Sequence, residues 1–263
     1  MSAQQLTDLQ DTVAVMETAT SIDDVVTAQA EAVDKVAAAA PSGVDLQSSV
    51  DLGVSDSDDI TSATTLTVEV SFNTVAPDET LALDGTAVVE GDLVEVSDAS
   101  GVIASGTVSS SDLVNGAISL TTTSLVAEGD VSLTARITDA AGNVSAPSSA
   151  LVVTVDTTAP LIAAGDMTVA ENVGAGTVVG TVAATDAGGG TTYTLKAGGD
   201  AGVLAIDETS GAVTLTPDPD HETQSTYAFT VVATDAAGNA SEKVFSLAVT
   251  NLDEVAPTIT SGG

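Results

Sequence analysis

Residues 227–239 read Tyr-Ala-Phe-Thr-Val-Val-Ala-Thr-Asp-Ala-Ala-Gly-Asn. Tyr227, Phe229, Val231 and Ala233 occupy every second position, so one face of the segment is apolar and the other polar. That period belongs to a β-strand with one face on a core. The Asp-Ala-Ala-Gly-Asn run that follows supplies the turn chemistry of a hairpin, with Asp and Asn to bond the backbone and Gly to relax it. The same turn, Thr138-Asp139-Ala140-Ala141-Gly142-Asn143, occurs once before. A second landmark, Ala159-Pro160, returns as Ala256-Pro257 at nearly the same separation. Two landmarks with one spacing predict a domain-sized internal repeat.

Outward from this stretch the period of two persists. Leu66-Val68-Val70, Leu93 to Val96, Ile118-Leu120, Val131 to Ile137 and Leu151-Val153-Val155 form one set. Val178 to Ala184, Tyr193-Leu195, Leu204-Ile206, Val213-Leu215, Tyr227 to Ala233 and Phe245-Leu247-Val249 form a second. About seven short strands per hundred residues predict β-sandwiches. Only residues 3 to about 40 read as helix. Ser2 and Gln5 have capping-box spacing, and Leu6, Leu9, Val13 and Met16 then recur at helical intervals. The expected organisation is a helical segment over 1–48, sandwiches over 49–158 and 159–257, and at 258–263 the start of a further repeat or a tail. The ending suggests a cut through an array.

The charge balance is extreme: 38 acidic residues face four basic ones among 263, a formal net charge of −34. Self-repulsion of this size opposes compaction unless cations neutralise it. Nucleic acid is excluded as a partner because no basic stripe exists to displace its counterions, and anionic membranes repel the chain. Cysteine is absent, which excludes disulfides and thiolate chemistry. No apolar stretch is long enough to span a bilayer. The N-terminus lacks a basic and an apolar region, so export would be leaderless. His221 is the sole histidine and aromatics make up 2%. A His-based triad is therefore excluded, no aromatic cleft is expected to hold a sugar, and the chain reads as a non-enzyme.

The run Leu204-Ala205-Ile206-Asp207-Glu208-Thr209-Ser210-Gly211-Ala212-Val213 resembles the signature of the cadherin repeat. Glu171-Asn172, Asp220-His221-Glu222, Tyr227 to Asp235 and Asn251-Leu252-Asp253-Glu254-Val255-Ala256-Pro257 resemble further cadherin elements in the right order. The likeness covers about 160–257 and implies a Greek-key sandwich with calcium at its junctions, locking neighbouring domains at a fixed angle. It implies a ligand set of Glu171, Asp220, Glu222 and Asp235, joined by Asp253 and Glu254 of the linker. Asp186 resembles the first acid of a paired motif whose second position is Gly188, so that site is expected to be weak. Residues 50–158 resemble the immunoglobulin-like repeats of large bacterial adhesins. Asp51, Asp56, Asp58 and Asp59 match an acidic opening loop, Asp139 a turn and Asp156 a linker, adding Asp56, Asp58, Asp139 and Asp156 as candidate Ca2+ ligands. Asp139 and Asp235 also read as turn formers, and Asp207 reads as one alone.

The functional expectation is a calcium-stiffened, rod-like segment of an extracellular bacterial adhesin or matrix fibre. Its partners would be neighbouring repeats, itself through residues 3–40, or a cell-surface or matrix ligand. The alternative is a structural subunit of an assembled particle, such as a virion or surface layer, using the N-terminal helices for assembly.

Overall fold

The computed structural model describes residues 36–74, 87–123 and 126–253. The helical segment expected over residues 3 to about 40 lies outside them up to residue 35, as does Glu254, and residues 36–40 are not helical. The chain divides into two compact units, Met1–Val155 and Asp156–Gly263. Both are built from strands, the mainly-β tandem sandwich that the period-two pattern predicts.

In the first unit, β1 (Gly43–Leu46), β3 (Thr67–Ser71) and β6 (Ala117–Thr121) form one sheet, ordered β1-β3-β6. The other contains β2 (Ile60–Thr61), β4 (Leu93–Asp98), β5 (Gly101–Thr107), β7 (Gly129–Thr138) and β8 (Leu151–Val155), ordered β2-β8-β7-β4-β5. Chain neighbours repeatedly fall in different sheets, as Greek-key connections require. Alternate residues of β3, β4 and β7 point inward, so Val68, Val70, Val94, Val96, Leu133, Ala135 and Ile137 are all buried in one core. Two details depart from expectation. β1 starts inside the stretch assigned to the helical segment 1–48, so the sandwich begins before residue 49. A helix, α1 (Ser110–Asn115), also interrupts the β region, where none was expected. Ser109 and Asp112 close a capping box around its start and Gly116 caps its end. Six residues are too few to display helical periodicity, so only the caps announce it.

In the second unit, β10 (Met167–Ala170), β13 (Thr192–Leu195), β16 (Thr226–Thr234) and β17 (Ala240–Thr250) form a sheet ordered β10-β17-β16-β13. β11 (Thr177–Thr181), β14 (Leu204–Ile206) and β15 (Ala212–Leu215) form another, ordered β11-β15-β14. Short β9 (Leu161–Ile162) and β12 (Ala184–Thr185) pair with each other. The core is Val-, Leu- and aromatic-lined, and Phe229 stacks on Phe245 with ring centroids 5.8 Å apart. Gly211 shows why the turn after Asp207 needs glycine. Its φ is +69°, and a Cβ there would stand 2.3 Å from the Val182 carbonyl oxygen. Among the described residues, no helix is long and apolar enough to cross a membrane.

Candidate metal centre

The strand β16 is nine residues long, which spans roughly 30 Å at a strand's rise per residue. Asp235 follows its last residue, whereas Asp220 and Glu222 precede its first. The structure therefore separates Asp235 from the ligand set in which the sequence reading placed it. Among the described residues two three-carboxylate groups result, one on each side of β16: Asp156 with Asp186 and Asp235, and Glu171 with Asp220 and Glu222. In each, one ligand atom per residue lies within 4.8 Å of the others.

The first group is the more deeply buried. Asp235 is 0% and Asp156 7% exposed. Asp235 shapes its own turn: its carboxylate accepts from Asn239 N at 2.8 Å and from Asn239 Nδ2 at 3.0 Å. The same Nδ2 donates to the Asp156 carbonyl oxygen at 2.8 Å, which ties the start of the unit to the β16–β17 turn. Asp156 Oδ1 accepts from Thr158 N. Asp186 Oδ1 accepts from Ala187 N at 2.8 Å, but its Oδ2 is buried with no hydrogen-bond partner. A buried carboxylate oxygen left bare is costly, and three like charges this close repel one another strongly. A hard cation would relieve both, and an all-oxygen set suits Ca2+.

Gly188 completes this group. A Cβ at 188 would lie 2.1 Å from Asp156 Oδ2. The position where the cadherin pattern places a second acid is thus bare, and the carboxylate of Asp156 fills the space beside it.

The second group is built on Glu171, which is 1% exposed although it follows an edge strand. Glu171 Oε2 accepts from His221 N at 3.0 Å and Oε1 from Leu252 N. These backbone donors, Leu252 first, hold the Glu171 carboxyl below its usual range. Asp220 accepts from Thr223 Oγ1 at 2.7 Å and Thr223 N at 3.0 Å, which lower its pKa in the same way. Asn251 Nδ2 donates to Glu222 Oε1 at 2.7 Å and lies 3.2 Å from His221 Nδ1. Asn251 is a member that the sequence reading included only as part of a linker motif. Asp253 is exposed and lies outside the three-carboxylate group.

In the first unit the candidates are members of neither group. Asp139 accepts from Ala141 N, Asn143 N and Asn143 Nδ2 at 2.8–2.9 Å, the hydrogen bonds of a turn former. Asp58 Oδ1 caps Ile60 N, and Asp56 is exposed. None of the three belongs to a three-carboxylate group among the described residues. Asp207 accepts from Ser210 N and Ser210 Oγ at 2.8 and 2.7 Å, the arrangement its turn reading implies.

Residues 166–250, which lie in the second unit, match the family model of the cadherin domain. Exoglucanase B of Cellulomonas fimi is 37% identical to this chain over 150 residues, 54% of the chain, and the match spans 13% of that protein's length. Among solved structures, Drosophila N-cadherin EC1-3 is 23% identical with a TM-score of 0.35, and the match covers 62% of this chain and 56% of that one. Mouse cadherin-23 EC22-24 is 19% identical with a TM-score of 0.37, covering 74% and 63%.

Proposed function

We propose that this chain is a calcium-binding structural segment of an extracellular adhesion protein or matrix fibre, of the bacterial-adhesin type. The observation that carries the proposal is the bare Asp186 Oδ2, buried among the carboxylates of Asp156 and Asp235. Calcium takes six to eight oxygens at about 2.3–2.6 Å, and these three residues offer carboxylate oxygens of the right hardness. Glu171, Asp220 and Glu222 would hold a second ion beyond the other end of β16. Gly188 and Asn239 would keep Asp156 in place, while the amides of Leu252 and His221 would orient Glu171. When bound, the ion supplies no chemistry beyond charge neutralisation and a fixed geometry. Its effect is to stiffen the linker segments 156–160 and 251–253 against the strands they adjoin. The role is non-catalytic, which the scarcity of aromatic residues supports, and the partners are neighbouring repeats or a cell-surface or matrix ligand.

Thermal unfolding of the chain in millimolar calcium and in excess chelator tests this. At a hundredfold excess of ion over Kd the bound form gains about 2.7 kcal/mol, so the transition of the second unit should rise by on the order of 10 °C. Equal melting temperatures in the two conditions would sink the proposal.

A further inference from the structure

In the first unit Asp51 is 4% exposed, and neither of its buried carboxylate oxygens completes a hydrogen bond of ordinary geometry, although the amides of Asp59 and Asp58 approach closely enough to lower its pKa. Its backbone is clamped. Asp51 N donates to Gln47 O at 3.0 Å. The hydroxyl of the fully buried Thr61 donates to the preceding carbonyl of Val50 and accepts from the following amide of Leu52. The loop thus holds a carboxylate inside the protein with only partial compensation from backbone amides, and such a group needs a counter-charge or a proton.

The surroundings favour a counter-charge. Asp51 lines a cleft of about 490 Å³ together with Asp45, Asp56, Asp59 and Glu69, and no Lys, Arg or His lines it. That volume far exceeds the roughly 30 Å³ of one water, so a partly hydrated ion fits. Asp45 on β1 and Glu69 on β3 stand directly opposite each other in the register, and like charges so placed destabilise a strand pair. Burial raises the pKa of Asp51, the amides of Asp59 and Asp58 partly offset it, and the nearby carboxylates of Asp58 and Asp56 add to the rise.

We infer that this cleft is a divalent-cation site centred on Asp51, separate from the two carboxylate groups of the second unit. No three acids here meet within 4.8 Å. The ion therefore takes Asp51 as its carboxylate anchor and draws its remaining oxygens from the loop and from water, with Asp45, Asp56, Asp59 and Glu69 supplying the attracting field.

Hydrogen exchange followed by mass spectrometry on the full chain resolves this site from those of the second unit. Calcium at about ten times Kd should slow exchange over residues 47–61 about tenfold, and sodium chloride at matched ionic strength should not. In Asp51→Asn the calcium response over 47–61 should vanish, while that near Asp186 and Glu171 persists. In chelator, Asp51→Asn should exchange no faster than the parent, because it removes a buried charge. The inference is overturned by a calcium-insensitive 47–61 segment, by an equal effect of sodium, or by an unchanged response in Asp51→Asn. Failure near Asp186 and Glu171 alone would instead overturn the proposed function of the second unit.

Discussion

A Cβ added at residue 188 would lie 2.1 Å from Oδ2 of Asp156, so Gly188 is the space into which that carboxylate fits. Gly188→Ala should therefore leave the sandwich folded but swing the short Asp156 side chain out of the group with Asp186 and Asp235. The expected result is a calcium affinity reduced by about 10- to 100-fold, the usual scale for disturbed ligand orientation. Titration calorimetry of the variant against the parent measures it, and an unchanged affinity would separate Asp156 from the ion.

Asp139 and Asp235 shape the same five-residue turn in the two units, but only Asp235 belongs to a three-carboxylate group. Replacing either with Ala removes turn hydrogen bonds and should cost about 1 kcal/mol or more. Only Asp235→Ala should also reduce the calcium-induced rise in Tm of the second unit, leaving the share that the Glu171, Asp220 and Glu222 group contributes. Melting curves of both variants, each with and without calcium, make the comparison. Equal loss of the calcium response in both would contradict the assignment.

Asp207 carries the pH dependence that is simplest to isolate. Hydrogen bonds from Ser210 N–H and Oγ hold its carboxyl below the ordinary value of 3.8. A depressed folded-state pKa stabilises above the unfolded value and loses that contribution as the pH falls through the folded one. The parent should therefore be more stable than Asp207→Asn at neutral pH, and the two should converge as the pH drops below about 4. Denaturant midpoints measured along that series test the sign, and a gap that widens in acid would refute it.

Gly211 combines φ of +69° with a Cβ position 2.3 Å from the Val182 carbonyl. Gly211→Ala imposes both left-handed strain and a backbone clash, so a loss of about 1–3 kcal/mol is expected. Urea unfolding of the variant provides the value. A stability within a few tenths of the parent's would show that the β14–β15 turn relaxes freely.

The chain pattern and the folded molecule divide the information unevenly. Tyr227, Phe229, Val231 and Ala233 announce β16 because a strand's period is local, and Asp139 and Asp207 announce turns because their hydrogen bonds reach only a few residues along the chain. The strand β1 was less legible, since Gly43–Leu46 buries only Leu46 fully and pairs with β3 from a distance. The helix α1 left only its caps as a trace.

From the sequence alone the protein was determined to be mainly β, repetitive, strongly acidic and rich in candidate oxygen ligands. Which carboxylates meet was decided by tertiary structure. Asp235 is thirteen residues from Glu222 in the chain yet grouped with Asp186 and Asp156, because a stiff nine-residue strand carries its two ends apart. The buried oxygens of Asp51 and Asp186 were equally invisible, since an aspartate in a polar loop reads as solvated until the packing around it is known. Local periodicity is written along the chain, whereas burial and the convergence of charges arise only when distant segments pack together.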